Sequence, residues 1–244
     1  MKNIKLTIEY DGTNYHGWQQ QVNAITVQET VKKAIDKLTG EDCKLTGASR
    51  TDEGVHAVGQ VANFVTESNI PPDKFWLALN TVLPDDIVIK SSQEVDIDFH
   101  ARFSAKGKRY RYLIHNSPCP SALMRNRAYF VPRELDIEAM KSAVMHFQGK
   151  HDFSAFRASG SDARTSERII TSASLDKKLD MLELEIAGNG FLYNMVRIIA
   201  GTLVYVGEGK ICAQSIPGII AGLDRRKAGK TAPPHGLYLM EVFY

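Results

Sequence analysis

The chain lacks the features that would place it in several large classes of protein. Its three cysteines, Cys43, Cys119 and Cys212, are odd in number, far apart and without CxxC spacing, which argues against a disulfide framework and a thiolate zinc site. The seven histidines form no i,i+4 pair and no HExxH, so no metal centre is expected. No apolar run is long enough to span a bilayer. The N-terminus passes directly into the alternating Ile4-Lys5-Leu6-Thr7-Ile8, without the charged and then apolar regions of a signal peptide. No GxGxxG follows a strand, which leaves nicotinamide and flavin chemistry unsupported. Gly229-Lys230-Thr231 imitates the end of a phosphate-binding loop, but the first glycine of that motif would fall at position 224, which is Asp224. A cytoplasmic protein without metal or organic cofactor is the expectation. Charge is nearly balanced, 30 Lys and Arg against 28 Asp and Glu, so composition alone does not announce a nucleic-acid partner.

What is present is enough for a large core. With 244 residues and 43% hydrophobic content, the chain needs no covalent staple to fold. The positive charge is unevenly placed: Lys106 to Arg111, Arg125 to Arg133, Arg157 with Arg164 and Arg168, and Arg225-Arg226-Lys227 with Lys230. Any one cluster is an ordinary solvated face; four of them, several interleaved with tyrosine or phenylalanine, fit RNA, whose phosphates attract the charge and whose bases stack on the rings.

Along the chain, Ile4–Tyr10 reads as a strand, and Thr26 caps a helix with Val27, Val31, Ile35 and Leu38 at helical spacing until Gly40. Residues 43–48 and 60–66 read as strands, Pro71-Pro72-Asp73 opens a helix through Leu83, and Ile87–Val95 is a further strand. From Arg109 the plan repeats: strand, a helix capped by Asp136, then strands near 168–175 and 181–187. Hairpin-like strands mixed with helices, without regular βαβ alternation, predict an α+β fold of mainly antiparallel sheet covered by helices. Two similar subdomains are expected, 1–105 and 106–244, with an active-site cleft between them.

Two places carry chemistry. In Gly47-Ala48-Ser49-Arg50-Thr51-Asp52-Glu53-Gly54-Val55-His56-Ala57, a glycine-flanked turn presents a carboxylate with an arginine two residues earlier. A carboxylate attacks or takes a proton only while ionised, and a nearby guanidinium favours that form. Asp52 is therefore the candidate nucleophile or base, with Arg50 beside it. The same residues also suit an ordinary Asx turn. The second place is Gly190–Gly207, where Leu192, Met195, Val196, Ile198, Ile199, Leu203 and Val206 make a helix apolar over most of its circumference, with Arg197 in its middle. Gly190, Asn194, Arg197 and Gly201 share one face at helical spacing. A guanidinium there needs an anion or backbone carbonyls, and Asp52 is the anion the sequence offers.

Four motifs together resemble one family. The run Arg50 to Ala57, the strand Lys108-Arg109-Tyr110-Arg111-Tyr112, the segment Gly190-Phe191-Leu192-Tyr193-Asn194-Met195-Val196-Arg197 and the tail Ala228-Gly229-Lys230-Thr231-Ala232-Pro233-Pro234-His235-Gly236-Leu237 are similar, in order, to the TruA-type tRNA pseudouridine synthases. That resemblance implies isomerisation of uridine to pseudouridine at positions 38 to 40 of the tRNA anticodon arm, by a homodimer and without cofactor. It further implies that Asp52 is the catalytic aspartate, that Tyr110 packs against the target uracil, and that Arg50 and Arg197 flank the carboxylate. Ser49 departs from the glycine that many members carry before the arginine.

The chemistry accounts for these residue types. The N-glycosidic bond breaks, the uracil turns, and C5 joins C1′, so the base must be flipped into a pocket and stacked there. Attack of Asp52 at C1′, addition at C6 and abstraction of the C2′ proton all remain open. A non-catalytic RNA-binding protein is the alternative, and it would use the basic clusters without an acidic turn or a buried arginine.

Overall fold

Period-two alternation sets the first sheet. Ile4, Leu6, Ile8 and Tyr10 are buried while Lys5, Thr7 and Glu9 between them are partly exposed. In the computed structural model, which describes residues 1–160 and 165–244, the elements begin with β1 (Lys2–Tyr10), α1 (Val27–Thr39), β2 (Thr46–Gly47), β3 (His56–Thr66), α2 (Phe75–Asn80) and β4 (Ile87–Val95). They continue with β5 (Gly107–Asn116), β6 (Tyr129–Val131), α3 (Ile137–Met145), β7 (Gly149–Asp152), β8 (Glu167–Lys178), β9 (Met181–Gly188), α4 (Met195–Gly207), α5 (Ile216–Ala221) and β10 (Leu237–Phe243). Arg164, counted above in a basic cluster, lies outside the described residues.

The chain divides into two compact units, Met1–Lys106 with Tyr238–Tyr244, and Gly107–Leu237. The sequence places residues 106–244 together; the structure returns the final strand to the first unit, where β10 pairs with β3 in parallel through Tyr238↔His56 and Leu239↔Ala57. β1 lies between β3 and β4, antiparallel to both. Ile4 faces Phe64 and Leu6 faces Ala62 across the β1–β3 ladder, so the buried side of one strand meets the buried side of the next. Val27, Val31, Ala34 and Ile35 of α1 are buried at helical spacing. The Thr26 hydroxyl caps this helix by accepting the Glu29 amide at 3.4 Å.

The second unit is an antiparallel run, β5-β9-β8-β7. Continuous rungs cross three strands: Tyr110, Ile186 and Ala173 form one, and Tyr112, Leu184 and Leu175 another, all buried. Each fully buried large apolar side chain contributes about 1.5–3 kcal/mol. α4 is buried at eleven of its positions, which matches its nearly uniform apolar sequence. It begins at Met195, not at Gly190: Asn194 takes a left-handed backbone (φ 59°) and the residues before it are loop. The predicted helix after Pro71 is likewise shorter, a single 3₁₀ turn followed by six residues of α2. No helix among the described residues is long and apolar enough to cross a membrane.

Candidate active site

Asp52 sits on the turn that joins β2 to β3, partly buried. The turn closes where the Val55 amide donates to the Asp52 carbonyl at 3.2 Å, and Gly54 supplies the left-handed residue (φ 73°) that a turn of this kind requires. Thr51, immediately before the carboxylate, is held on both sides. Its hydroxyl meets the Tyr10 hydroxyl at 2.7 Å, and its carbonyl accepts the Trp18 amide at 3.0 Å. Gly17, at φ 85°, allows that approach: a Cβ there would lie 2.5 Å from the Thr51 carbonyl oxygen. The loop of residues 11–18 is thus the seat of the Asp52 turn.

His56 closes the other side. It is buried, stacks on Tyr238 with ring centroids 4.7 Å apart, and its Nδ1 accepts the Gly12 amide at 3.0 Å. An Asp11 carboxylate oxygen lies 3.1 Å from the same Nδ1. This is a packed, hydrogen-bonded histidine that ties the start of β3 to the 11–18 loop.

Arg50 behaves differently from the sequence expectation of a guanidinium beside the carboxylate. It is exposed, and its side chain forms no hydrogen bond or ion pair among the described residues. Its charge is offered to solvent, where a polyanion would meet it.

In the second unit, Tyr110 is buried on β5 and packs edge-on to Phe191, centroids 5.1 Å apart at 84°. Arg197 is partly buried on α4. Its Nε donates to the Ala232 carbonyl at 2.8 Å and its Nη1 to Asn194 Oδ1 at 2.7 Å. The carbonyl reading of this arginine is therefore realised for part of the guanidinium. The tail of residues 229–233 runs along the same helix: the Gly229 amide donates to the Thr202 hydroxyl at 2.8 Å, and a Cβ at Gly201 would collide with the Lys230 carbonyl. That tail occupies the space beside Gly201. Tyr112 lies in the same neighbourhood, donating to the Pro233 carbonyl at 2.7 Å; burial pushes its hydroxyl pKa well up, with nearby Arg197 opposing the shift.

The basic clusters are partly consumed by the fold. Arg111 grips Glu185 through Nε and Nη2 at 3.0 and 2.6 Å, Arg226 grips Asp224, and Arg225 donates to the Gly229 carbonyl at 2.8 Å. Arg125, Arg127, Arg133 and Lys227 remain exposed, and Lys230 lies over the Tyr129 ring at 5.0 Å. Among the described residues no group of three acidic, histidine or cysteine side chains is arranged to hold a metal.

The sequence profile described as tRNA pseudouridine synthase matches residues 6–104 and 143–244. The chain belongs to the tRNA pseudouridine synthase family. A relative named tRNA pseudouridine synthase A from Acetivibrio thermocellus is 65% identical over 244 residues, covering all of both chains. Relatives of the same name from Ruminiclostridium cellulolyticum and a Thermoanaerobacter species are 62% and 54% identical, again over the full length of both chains. A chain in the crystal structure of an archaeal box H/ACA sRNP Nop10–Cbf5 complex aligns with 82% of this chain and 43% of its own, at 11% identity and a TM-score of 0.38, too distant to argue from. Within the family, the α+β class and the antiparallel plan expected from the sequence agree with the structure.

Proposed function

We propose that the chain isomerises uridine to pseudouridine in tRNA, acting on positions 38 to 40 of the anticodon arm, as a cytoplasmic homodimer that needs no cofactor. Full-length identity of 65% to a tRNA pseudouridine synthase A carries this reading. The site supports it with a partly buried carboxylate on a turn fixed by its neighbours, a buried tyrosine on β5, and an arginine set into an apolar helix.

The roles follow from the resemblance of the motifs. Asp52 is the reacting carboxylate. Tyr110 packs against the flipped uracil, an apolar face to which a detached base can stay bound while it turns. By the same resemblance, Arg197 is one of the two arginines that act on the carboxylate. The resemblance sets Arg50 beside the carboxylate; its exposure on the same turn favours contact with the RNA instead. In the net reaction the N1–C1′ bond breaks, C5–C1′ forms, C5 loses a proton and N1 gains one, so no co-reactant is consumed. Incubating unmodified tRNA with the protein alone, then digesting and mapping pseudouridine, tests the reading: product confined to positions 38 to 40 is expected, and none there overturns it.

A further inference from the structure

β2 and β3 pair through Thr46↔Asn63 and Gly47↔Ala62, and the Ala48 amide continues the ladder onto the Val61 carbonyl at 2.8 Å. The following rung is made by a side chain. Gln60, 0% exposed, donates from Nε2 to the Ser49 carbonyl at 2.8 Å, while its Oε1 accepts the Ser49 amide and the Val61 amide, each at 3.2 Å. Two N–H groups at Oε1 and one carbonyl at Nε2 fix the orientation of the amide, because turning it over would set donors against donors.

We infer that Gln60 is a positioning residue for the Asp52 turn, an inference that rests on the reading of Asp52 as the reacting carboxylate. Burying a primary amide costs free energy unless its polar atoms are paired, so an apolar residue would serve the core of β3 at less cost. Among the described residues, the side-chain bonds of Gln60 go to Ser49 and to its own neighbour Val61, so beyond that local contact its amide is spent on the start of the turn. Ser49 is three residues ahead of Asp52, and Tyr10 with Trp18 fixes Thr51 from the other side. Gln60 sets where the chain leaves the sheet; Tyr10 and Trp18 set where it arrives. Released at Ser49, the stretch could pivot about Thr51, and displacements near 1 Å at a reacting group can cost about a hundredfold in rate.

The test compares Gln60→Leu and Gln60→Glu with wild type by steady-state kinetics on tRNA and by hydrogen exchange at the amides of Ala48, Ser49, Gly54 and Val55. Gln60→Leu removes all three bonds. It should lower kcat about ten- to hundredfold with KM within about threefold, because phosphate contacts elsewhere set affinity. Gln60→Glu keeps the acceptor for the two amides but faces the Ser49 carbonyl with a second acceptor unless the carboxyl is protonated. Burial and that carbonyl raise the pKa of the introduced group, so at pH 8 it should show the same kcat defect and about tenfold faster exchange at those amides. Relative to wild type at each pH, both defects should shrink on acidification to pH 6. Should Gln60→Leu fail to fold, Gln60→Glu carries the test. Normal kcat and normal exchange in Gln60→Glu at pH 8, or defects that acid does not relieve, overturn the inference. If wild type made no pseudouridine, the proposed function would fall, and hydrogen exchange alone would still decide whether Gln60 holds the turn.

Discussion

Arg197 and Ala232 are bonded twice. The arginine Nε donates to the Ala232 carbonyl at 2.8 Å, and the Ala232 amide donates back to the Arg197 carbonyl at 3.0 Å. One residue thus ties the Lys230–Pro233 tail to α4 while keeping a charge at the helix surface. Arg197→Met keeps much of the stem but leaves the Ala232 carbonyl and Asn194 without their donor, so unfolding free energy should fall by about 1–3 kcal/mol. Specific activity of the folded fraction should also fall, by tenfold or more. Thermal unfolding and single-turnover rates measured on one preparation check both, and loss of stability with undiminished specific activity would confine Arg197 to the fold.

Gly17 offers a contrast between two glycines of the same backbone sign. Gly17→Ala adds a Cβ 2.5 Å from the Thr51 carbonyl oxygen, whereas Gly40, at φ 75°, has open space around it. Both substitutions carry the left-handed penalty of about 1–2 kcal/mol. Only Gly17→Ala should also displace the turn and reduce kcat. Equal kinetics for the two variants would show that the 11–18 loop does not seat Asp52.

Much of this arrangement was legible in the sequence, and the illegible part has a common cause. The capped helix of Val27–Thr39, the alternating strands and the apolar character of α4 are local signals, fixed by periods of 3.6 and 2 residues. Apolar spacing runs α4 back to Gly190, but Asn194 in a left-handed conformation stops the helix there, which such spacing does not report. The support of the Asp52 turn was invisible for another reason. Tyr10, Gly12, Gly17 and Gln60 lie between 8 and 42 positions from Asp52 along the chain, and tertiary pairing alone gives them meaning. Likewise Arg50, two residues from Asp52, suggested a pair that its exposed side chain does not form.

Ser49 provides a test in the stabilising direction. Its hydroxyl is buried and has no hydrogen-bond partner among the described residues, although its backbone is engaged with Gln60. Ser49→Ala removes an unpaired polar atom and should stabilise by about 1 kcal/mol, read as a higher urea midpoint at an unchanged m-value. Activity should be unaffected. A lower midpoint would mean that the hydroxyl has a function in the native state.

Tyr112 predicts an alkaline dependence. Burial raises its pKa in the folded chain, while the unfolded tyrosine ionises near pH 10, as in model peptides. The neutral hydroxyl therefore contributes stability fully below about pH 10, and that contribution declines as pH rises toward the folded pKa. The difference in urea midpoint between wild type and Tyr112→Phe should be constant from pH 7 to 9 and shift against wild type above pH 10. A difference independent of pH would mean that Tyr112 ionises equally in both states.

The central claim is that Asp52 drives an isomerisation, and the hydrogen on uracil C5 reports it. Moving the glycosidic bond from N1 to C5 obliges C5 to lose that hydrogen, whereas hydrolysis or simple binding leaves it in place. With tRNA carrying tritium at uracil C5, the protein alone in buffer should release one tritium to water per modified uridine, with no free uracil and no strand breakage. Asp52→Asn should bind the same tRNA with similar affinity and release essentially none, since affinity comes mainly from phosphate contacts. Free uracil from the wild-type reaction, or tritium release by Asp52→Asn within tenfold of wild type, would contradict the account.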